Sequence, residues 1–257
     1  MATASGAETH LYRGLTAPLA VVVAAVVAAA WLATWYSVGS FGMDGTMPTA
    51  SSPVGLAAFF GVMIVMMVAM MLPSALPMIL AFHGMTRLEA GRPTKPPDVV
   101  ATSLFVAPYF VVWGGFGVIA LLGAMAFGLV DTMSGPLAYA PAIVLLAAGG
   151  WQATRTKEVC LSHCQSPMGF VMHHWRSGRL GALRMGTRHS AYCIGCCWLF
   201  MGVLFVAGAM SLFWMGALAA AIFAEKVGTR PRATSLAIGV LLLASGVAFA
   251  VQTTLGM

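Results

Sequence analysis

Charged side chains are scarce in this chain. Asp, Glu, Lys and Arg make up 8% of its 257 residues, against about 25% in an ordinary soluble domain. Seven residues are acidic and thirteen are basic, and 60% of the chain is hydrophobic. Such a composition excludes a soluble domain, because it cannot cover a water-exposed surface. The long apolar stretches instead indicate an all-α, polytopic transmembrane helical bundle.

The apolar segments also lack ionisable side chains at mid-depth, and the chain has no GxxxxGK[ST] motif. Ion-coupled transporters usually place carboxylates or histidines inside the membrane, so this class is disfavoured. ATP-driven pumping by the chain alone is disfavoured because the nucleotide motif is absent. The sequence shows neither a nucleophile–base pair nor paired carboxylates, the patterns that would indicate a hydrolytic enzyme. We therefore expect a protein that is not an enzyme, with a thiol oxidoreductase left open.

Seven apolar segments predict about seven membrane spans. A single helix from Tyr192 to Val227 would rise about 54 Å, well beyond the roughly 30 Å of a bilayer. We therefore predict a hairpin that turns near Gly208–Ser211. The predicted spans are Pro18 to Val38, Val54 to Phe82, Val99 to Val130, Leu137 to Ala153, Ser190 to Gly208, Leu212 to Lys226 and Ala233 to Thr253.

The positive charges give these spans an orientation. With seven spans, all thirteen Lys and Arg residues fall on one side, whereas Asp44 and Asp131 fall on the other. Positive charge marks the cytoplasmic side, so we predict the N-terminus inside and the C-terminus outside. Residues 1–257 then form one membrane domain with a cytoplasmic loop at about 154–189. The basic excess predicts attraction to anionic membrane lipid, and no nucleic acid partner is expected.

Methionines recur along the second apolar segment. The first five of them share one helix face, within an arc of about 140°. They are Met63, Met66, Met67, Met70 and Met71. Thioethers are neutral, soft ligands that suit Cu(I), although methionine also fills gaps between packed helices. The pattern predicts a secondary metal relay through Met63, Met66, Met67, Met70, Met71, Met78 and His83. Met43 and Met47 are predicted to capture the ion on the outer side.

Two prolines interrupt the hydrogen bonds of the same segment. Pro73 leaves the Ala69 carbonyl without its usual helical donor, and Pro77 does the same to the carbonyl of Pro73. Such carbonyls are free to meet water, a partner side chain or an ion. An ordinary packing kink is the alternative interpretation.

All five cysteines lie at the side that carries the basic residues. Cys160 and Cys164 flank His163 in the large loop, and Cys193, Cys196 and Cys197 share one helix face at positions i, i+3 and i+4. In reducing cytosol, clustered thiols indicate metal or redox chemistry more often than disulfides. Inert buried cysteines are the remaining alternative. We predict a metal site, with copper favoured over zinc, formed by Cys160, His163, Cys164, Cys193, Cys196 and Cys197.

The other loop histidines are weaker candidates. His173 and His174 lie in the stretch Pro167 to Arg179, whose aromatic, methionine and basic residues are typical of an interfacial helix. We therefore expect these two side chains at the level of the lipid headgroups. His189 is a further secondary candidate.

These motifs resemble a known family. The blocks Lys157-x2-Cys160-Leu161-x2-Cys164 and Tyr192-Cys193-x-Gly195-Cys196-Cys197-Trp198 are similar to those of the uncharacterised bacterial family of predicted metal-binding integral membrane proteins. The resemblance extends from the second span to Lys226. It implies a multi-span helical protein of the bacterial cytoplasmic (inner) membrane. Gln165 stands where this family often carries a basic residue, which changes the local charge and removes no ligand.

Three functions follow as hypotheses. The first is binding, relay or delivery of Cu(I) through the methionines and the cysteine cluster, with a metallochaperone or cuproprotein as partner. The second is a structural or assembly subunit of a larger membrane complex, in which the cysteines hold a zinc or copper clip. The third is a thiol redox protein that uses Cys193 and Cys196.

Overall fold

The computed structural model describes residues 3–40, 53–89, 92–93, 96–126, 138–208 and 211–256. Within these ranges the chain forms nine helices and one two-stranded hairpin, which confirms the all-α class. The helices are α1 Thr3–Ser40, α2 Pro53–Met85, α3 Val99–Ala126, α4 Ala140–Gln152, α5 Arg155–Gln165, α6 Pro167–His174, α7 Gly178–Gly208, α8 Leu212–Val227 and α9 Pro231–Leu255. The strands β1 Leu88–Glu89 and β2 Arg92–Pro93 pair antiparallel between α2 and α3.

The prediction of seven spans was wrong in number. In the part of the chain that is described, four helical stretches are long and apolar enough to cross a bilayer: Ala17–Tyr36, Phe60–Met85, Val99–Ala120 and Pro231–Leu255. Helix α4 has 13 residues and α8 has 16. At 1.5 Å per residue they rise about 20 and 24 Å, short of about 30 Å of hydrocarbon. Helix α7 is long enough, but its first third carries three arginines.

The predicted break in this apolar run is confirmed, although its two halves are not among the four candidate spans. Helix α7 ends at Gly208 and α8 begins at Leu212, so the apolar run is divided where its length required a break. The helix predicted within Pro167 to Arg179 is shorter than predicted, because α6 ends at His174 and α7 begins at Gly178, whose φ is +82°.

Helix α2 is the central helix of the structure. In its most apolar stretch 59% of the residues are buried inside the protein, against 17% in the corresponding stretches of α1 and α9. The helix continues through Pro73 and Pro77. The indole N–H of Trp31 on α1 donates to the Ala69 carbonyl at 3.1 Å. The carbonyl that Pro73 deprives of its helical donor is therefore satisfied by a partner side chain.

Helices α4 and α9 approach closely because glycines remove side chains at their contact. A Cβ atom on Gly149 would lie 2.9 Å from the carbonyl oxygen of Gly239, and one on Gly239 would lie 2.8 Å from Cβ of Gln152. Small residues allow such close backbone approach. The contact fixes the end of α4, where Gln152 reaches the buried Lys157 of α5.

The loop helix α5 and the end of α8 lie at the same end of the molecule. Lys157 on α5 forms an ion pair with Glu225 on α8 at 2.8 Å, and Glu158 pairs with Arg232 at the start of α9. The sequence analysis placed these four residues on one side, and the contacts agree with that grouping. The assignment of this side to the cytoplasm stays a prediction.

Candidate metal centre

Three cysteines of α7 form a compact group of thiols. The sulfur atoms of Cys193, Cys196 and Cys197 all lie within 4.8 Å of one another, so together they could hold a metal ion. The side chains are 0%, 1% and 2% exposed. The helical spacing i, i+3 and i+4 therefore brings the three sulfurs onto one buried face, as predicted. We refer to these residues as the cysteine triad.

The two cysteines of α5 lie beside the triad. A Cβ atom on Gly195 would lie 2.6 Å from the Cys160 sulfur, so the absent side chain of this glycine lets Cys160 approach α7. A hydrogen bond to Cys196 and burial hold the pKa of the Cys164 thiol well above its ordinary value. Burial, followed by the charge of Cys196, raises the pKa of Cys160. These effects favour neutral thiols on α5.

His163 is not brought into the triad. Its Nδ1 atom lies 2.8 Å from the Val159 carbonyl oxygen of its own helix, and its ring stacks on Tyr192 with centroids 4.1 Å apart. His83, the predicted inner member of the methionine relay, pairs instead with the hydroxyl of Thr102 at 2.9 Å. Both rings therefore use one nitrogen in protein contacts.

One methionine of α2 reaches the triad. The Met71 Sδ atom lies 4.0 Å from the Cys197 Sγ atom. Met66, Met67, Met70 and Met78 are buried with it in the same core. The side chain of Met63, and all of Met43 and Met47, lie outside the described residues.

A lysine at the end of α8 completes the centre. Lys226 is 6% exposed, and its ammonium group donates to Cys193 Sγ at 3.0 Å and to Ser74 Oγ at 3.3 Å. Across the described ranges it has no carboxylate partner. A buried charge requires a counter-charge, and the triad can supply one as thiolate. Because thiolate is the form that binds metals, Lys226 prepares the site for a cation.

Tyr109 on α3 marks the other side of Cys193. Its hydroxyl oxygen lies 3.2 Å from the Cys193 sulfur, and its side chain is 4% exposed. A hydroxyl can donate to a thiolate without adding charge. The triad is therefore enclosed by α2, α3, α5 and α8.

The sequence analysis did not assign Lys226 or Tyr109 to the site. The pair Glu225-Lys226 was used to orient the chain and to mark the end of the family resemblance. The signal was present, because an ionisable residue that ends an apolar helix is a functional candidate by default. The identity of its partner depends on contacts between helices distant in sequence, which spacing does not reveal.

Replacing Lys226 by methionine is expected to lower the affinity for Cu(I) by about 10- to 100-fold, as loss of a metal site's supporting contacts typically does. The variant removes the cation that offsets thiolate charge while retaining a long side chain. Lys226→Arg, which keeps the charge, should lose less. Competition with a chromophoric Cu(I) chelator on anaerobically purified protein measures both, with the exposed Arg230→Met as control. Equal affinities for Lys226→Met and wild type would contradict this role.

Comparison with known families identifies the chain. The model of the PpoB2 family, described as a copper chaperone, matches residues 60–249. No curated protein and no solved structure matches. The family match spans most of the chain and includes the described part of the methionine stretch, both cysteine helices and Lys226. It agrees with the preference for copper drawn from the soft ligands. The chain belongs to the PpoB2 family of copper chaperones.

Proposed function

We propose that this protein carries Cu(I) as cargo across the contact between α2 and α7, and holds it at the cysteine triad. The observation that carries the proposal is the 4.0 Å approach of Met71 Sδ to Cys197 Sγ. It joins the methionines of the central helix to the group of thiols that could hold a metal. Membership of a copper chaperone family supports copper over zinc.

The two ligand types suit their surroundings. Methionine sulfur is neutral, so a methionine path adds no charge to the apolar core of α2. The triad offers thiolates, which bind Cu(I) more strongly, and Lys226 beside them offsets their charge. Copper that arrives along α2 should therefore come to rest on the triad.

Cys160 offers a way out of the buried centre. It is the one cysteine that is not fully buried. Its sulfur lies against Gly195, the residue that stands between Cys193 and Cys196 in the sequence of α7. Exchange of ligands from the triad to α5 would bring Cu(I) to the surface of the loop. We propose that a thiol-bearing metallochaperone or cuproprotein docks there, on the cytoplasmic side of the bacterial inner membrane, with Met43 and Met47 serving capture at the opposite side.

Replacing Met66, Met67, Met70 and Met71 together by leucine tests the relay. Leucine keeps the apolar volume and removes the thioether sulfurs. We expect copper supply to a partner cuproprotein in cells to fall at least ten-fold. The affinity of the purified protein for Cu(I) at the triad should change little. Met185→Leu, a buried methionine of α7 outside the path, is the matched control. Unchanged copper handling in the quadruple variant would contradict the relay.

A structural clip is the second candidate. The contact of Cys164 on α5 with Cys196 on α7 favours it, because a metal held by both helices would fasten the loop to the bundle. It differs from the relay in one measurable respect. Loss of the metal from a clip should lower the stability of the whole protein, whereas cargo can leave a folded carrier.

A further inference from the structure

His189 is buried beside the triad without a hydrogen-bond partner. It is 5% exposed, and neither Nδ1 nor Nε2 has a partner. Four other histidines, His83, His163, His173 and His174, each use a ring nitrogen, with Thr102, Val159, Gly169 and Phe170 as their respective partners. Buried polar groups are rarely left unpaired, and an exception calls for a missing partner.

The position of His189 on α7 points it toward the triad. It precedes Cys193 by four residues and Cys196 by seven, spacings that repeat one helix face. Its ring stacks on Tyr109 with centroids 6.3 Å apart, and the hydroxyl of that tyrosine touches the Cys193 sulfur. The side chain therefore occupies the layer of the core next to the thiols.

Aromatic rings hold the imidazole while its nitrogens stay unpaired. Phe105 stacks nearly parallel to it, with centroids 6.0 Å apart and planes inclined by 15°. Phe170 meets it edge-on at 5.7 Å. Packing of this kind fixes the orientation of the ring and leaves its nitrogens available to a ligand.

We propose that His189 supplies a nitrogen ligand to the Cu(I) held by the triad. This inference rests on the proposed function. Its nitrogens lie outside the 4.8 Å group of sulfurs. The ligand role therefore requires the ring and the ion to move toward each other. Imidazole is an established ligand type for copper.

The charge balance of the centre favours this ligand over a third thiolate. Two thiolates and Cu(I) carry a net charge of −1, which the ammonium of Lys226 offsets. A third thiolate would leave one uncompensated negative charge in the buried interior, which is unfavourable. A neutral imidazole adds a bond to copper and no charge. The site is then two thiolates and one imidazole beside a lysine.

X-ray absorption at the copper edge of the anaerobic, Cu(I)-loaded protein tests the proposal. We expect an imidazole nitrogen together with sulfur in the wild type, and loss of the nitrogen with retained sulfur in His189→Phe. Affinity for Cu(I) should fall about ten-fold or more. His173→Phe, an exposed histidine bound to its own helix, is the control and should keep the nitrogen signal.

The outcomes separate this inference from the function on which it rests. A sulfur-only copper site in the wild type, or a nitrogen signal that persists in His189→Phe, overturns the ligand role and leaves copper binding intact. Failure of the wild type to bind copper would instead overturn the proposed function. The metal-free His189→Phe protein should melt at or above the wild-type temperature, because two unpaired buried nitrogens are removed. A lower melting temperature together with unchanged copper affinity would make His189 structural.

Discussion

Serine at both Cys193 and Cys196 is expected to abolish stoichiometric copper binding by the purified protein. These residues supply two of the three sulfurs that lie within 4.8 Å of one another. A hydroxyl is a hard, weakly acidic group that does not replace a thiolate toward Cu(I). The remaining thiol, Cys197, cannot hold the ion alone against cellular competitors. Elemental mass spectrometry of anaerobically purified protein gives the metal content.

The cysteines of α5 provide the comparison for that experiment. Cys160→Ser should retain most of the copper, because its sulfur packs on Gly195 outside the triad. If Cu(I) leaves the triad through Cys160, the Cys160→Ser variant should instead slow the transfer of copper to a partner. Equal copper loss in Cys160→Ser and in the double variant would show that the site is centred between α5 and α7.

The identity of the lost metal and the stability of the variant decide between carrier and clip. Copper that disappears while the melting temperature holds supports the carrier. Zinc that disappears together with several degrees of thermal stability supports the clip. Wild-type protein that contains no metal after anaerobic purification and copper supplementation would contradict both.

Replacing Lys157 by methionine is expected to lower the free energy of unfolding by about 3–5 kcal/mol. Lys157 and Glu225 are 1% and 2% exposed, and the ammonium lies 2.8 and 2.9 Å from the two carboxylate oxygens. The ammonium also contacts Gln152 and lies 4.7 Å from the ring centroid of Phe200. The variant would leave Glu225 as an isolated buried charge. Reversible unfolding in mixed micelles measures the loss.

The double variant Lys157→Met/Glu225→Met is the matched test of this reasoning. Because it removes both charges, it should recover most of the stability lost in the single variant. Arg232→Met breaks the exposed pair with Glu158 and should cost less than about 1 kcal/mol. A double variant as unstable as the single one would show that packing, and not the unpaired carboxylate, causes the loss.

Local rules predicted several parts of the structure correctly. The break between Gly208 and Leu212 followed from the length of one apolar run. The common face of the triad followed from the helical period. The unsatisfied carbonyl of Ala69 followed from Pro73, although its partner, Trp31 of α1, did not. Each success depended on residues within one helix.

The number of spans was wrong because α4 and α8, with 13 and 16 residues, are too short to cross about 30 Å of hydrocarbon. The other errors arose where the outcome depended on contacts between helices. His163 lies between two thiols in sequence, yet it stacks on Tyr192 of α7. Lys226 was treated as a marker of topology because its contact with Cys193 joins residues 33 positions apart. Docking between α5, α7 and α8 decides the contacts of His163 and Lys226.

The near-complete burial of the triad also has a kinetic consequence. With side chains 0% to 2% exposed, a bound ion exchanges only as fast as the surrounding helices open, whatever its equilibrium affinity. Lifetime and affinity are thereby separated. Under the proposed function, small thiols and chelators in solution would remove the ion only slowly, whereas a docked protein that displaces α5 would remove it faster. Selectivity for the recipient would then come from access, and copper could be held strongly and still be released.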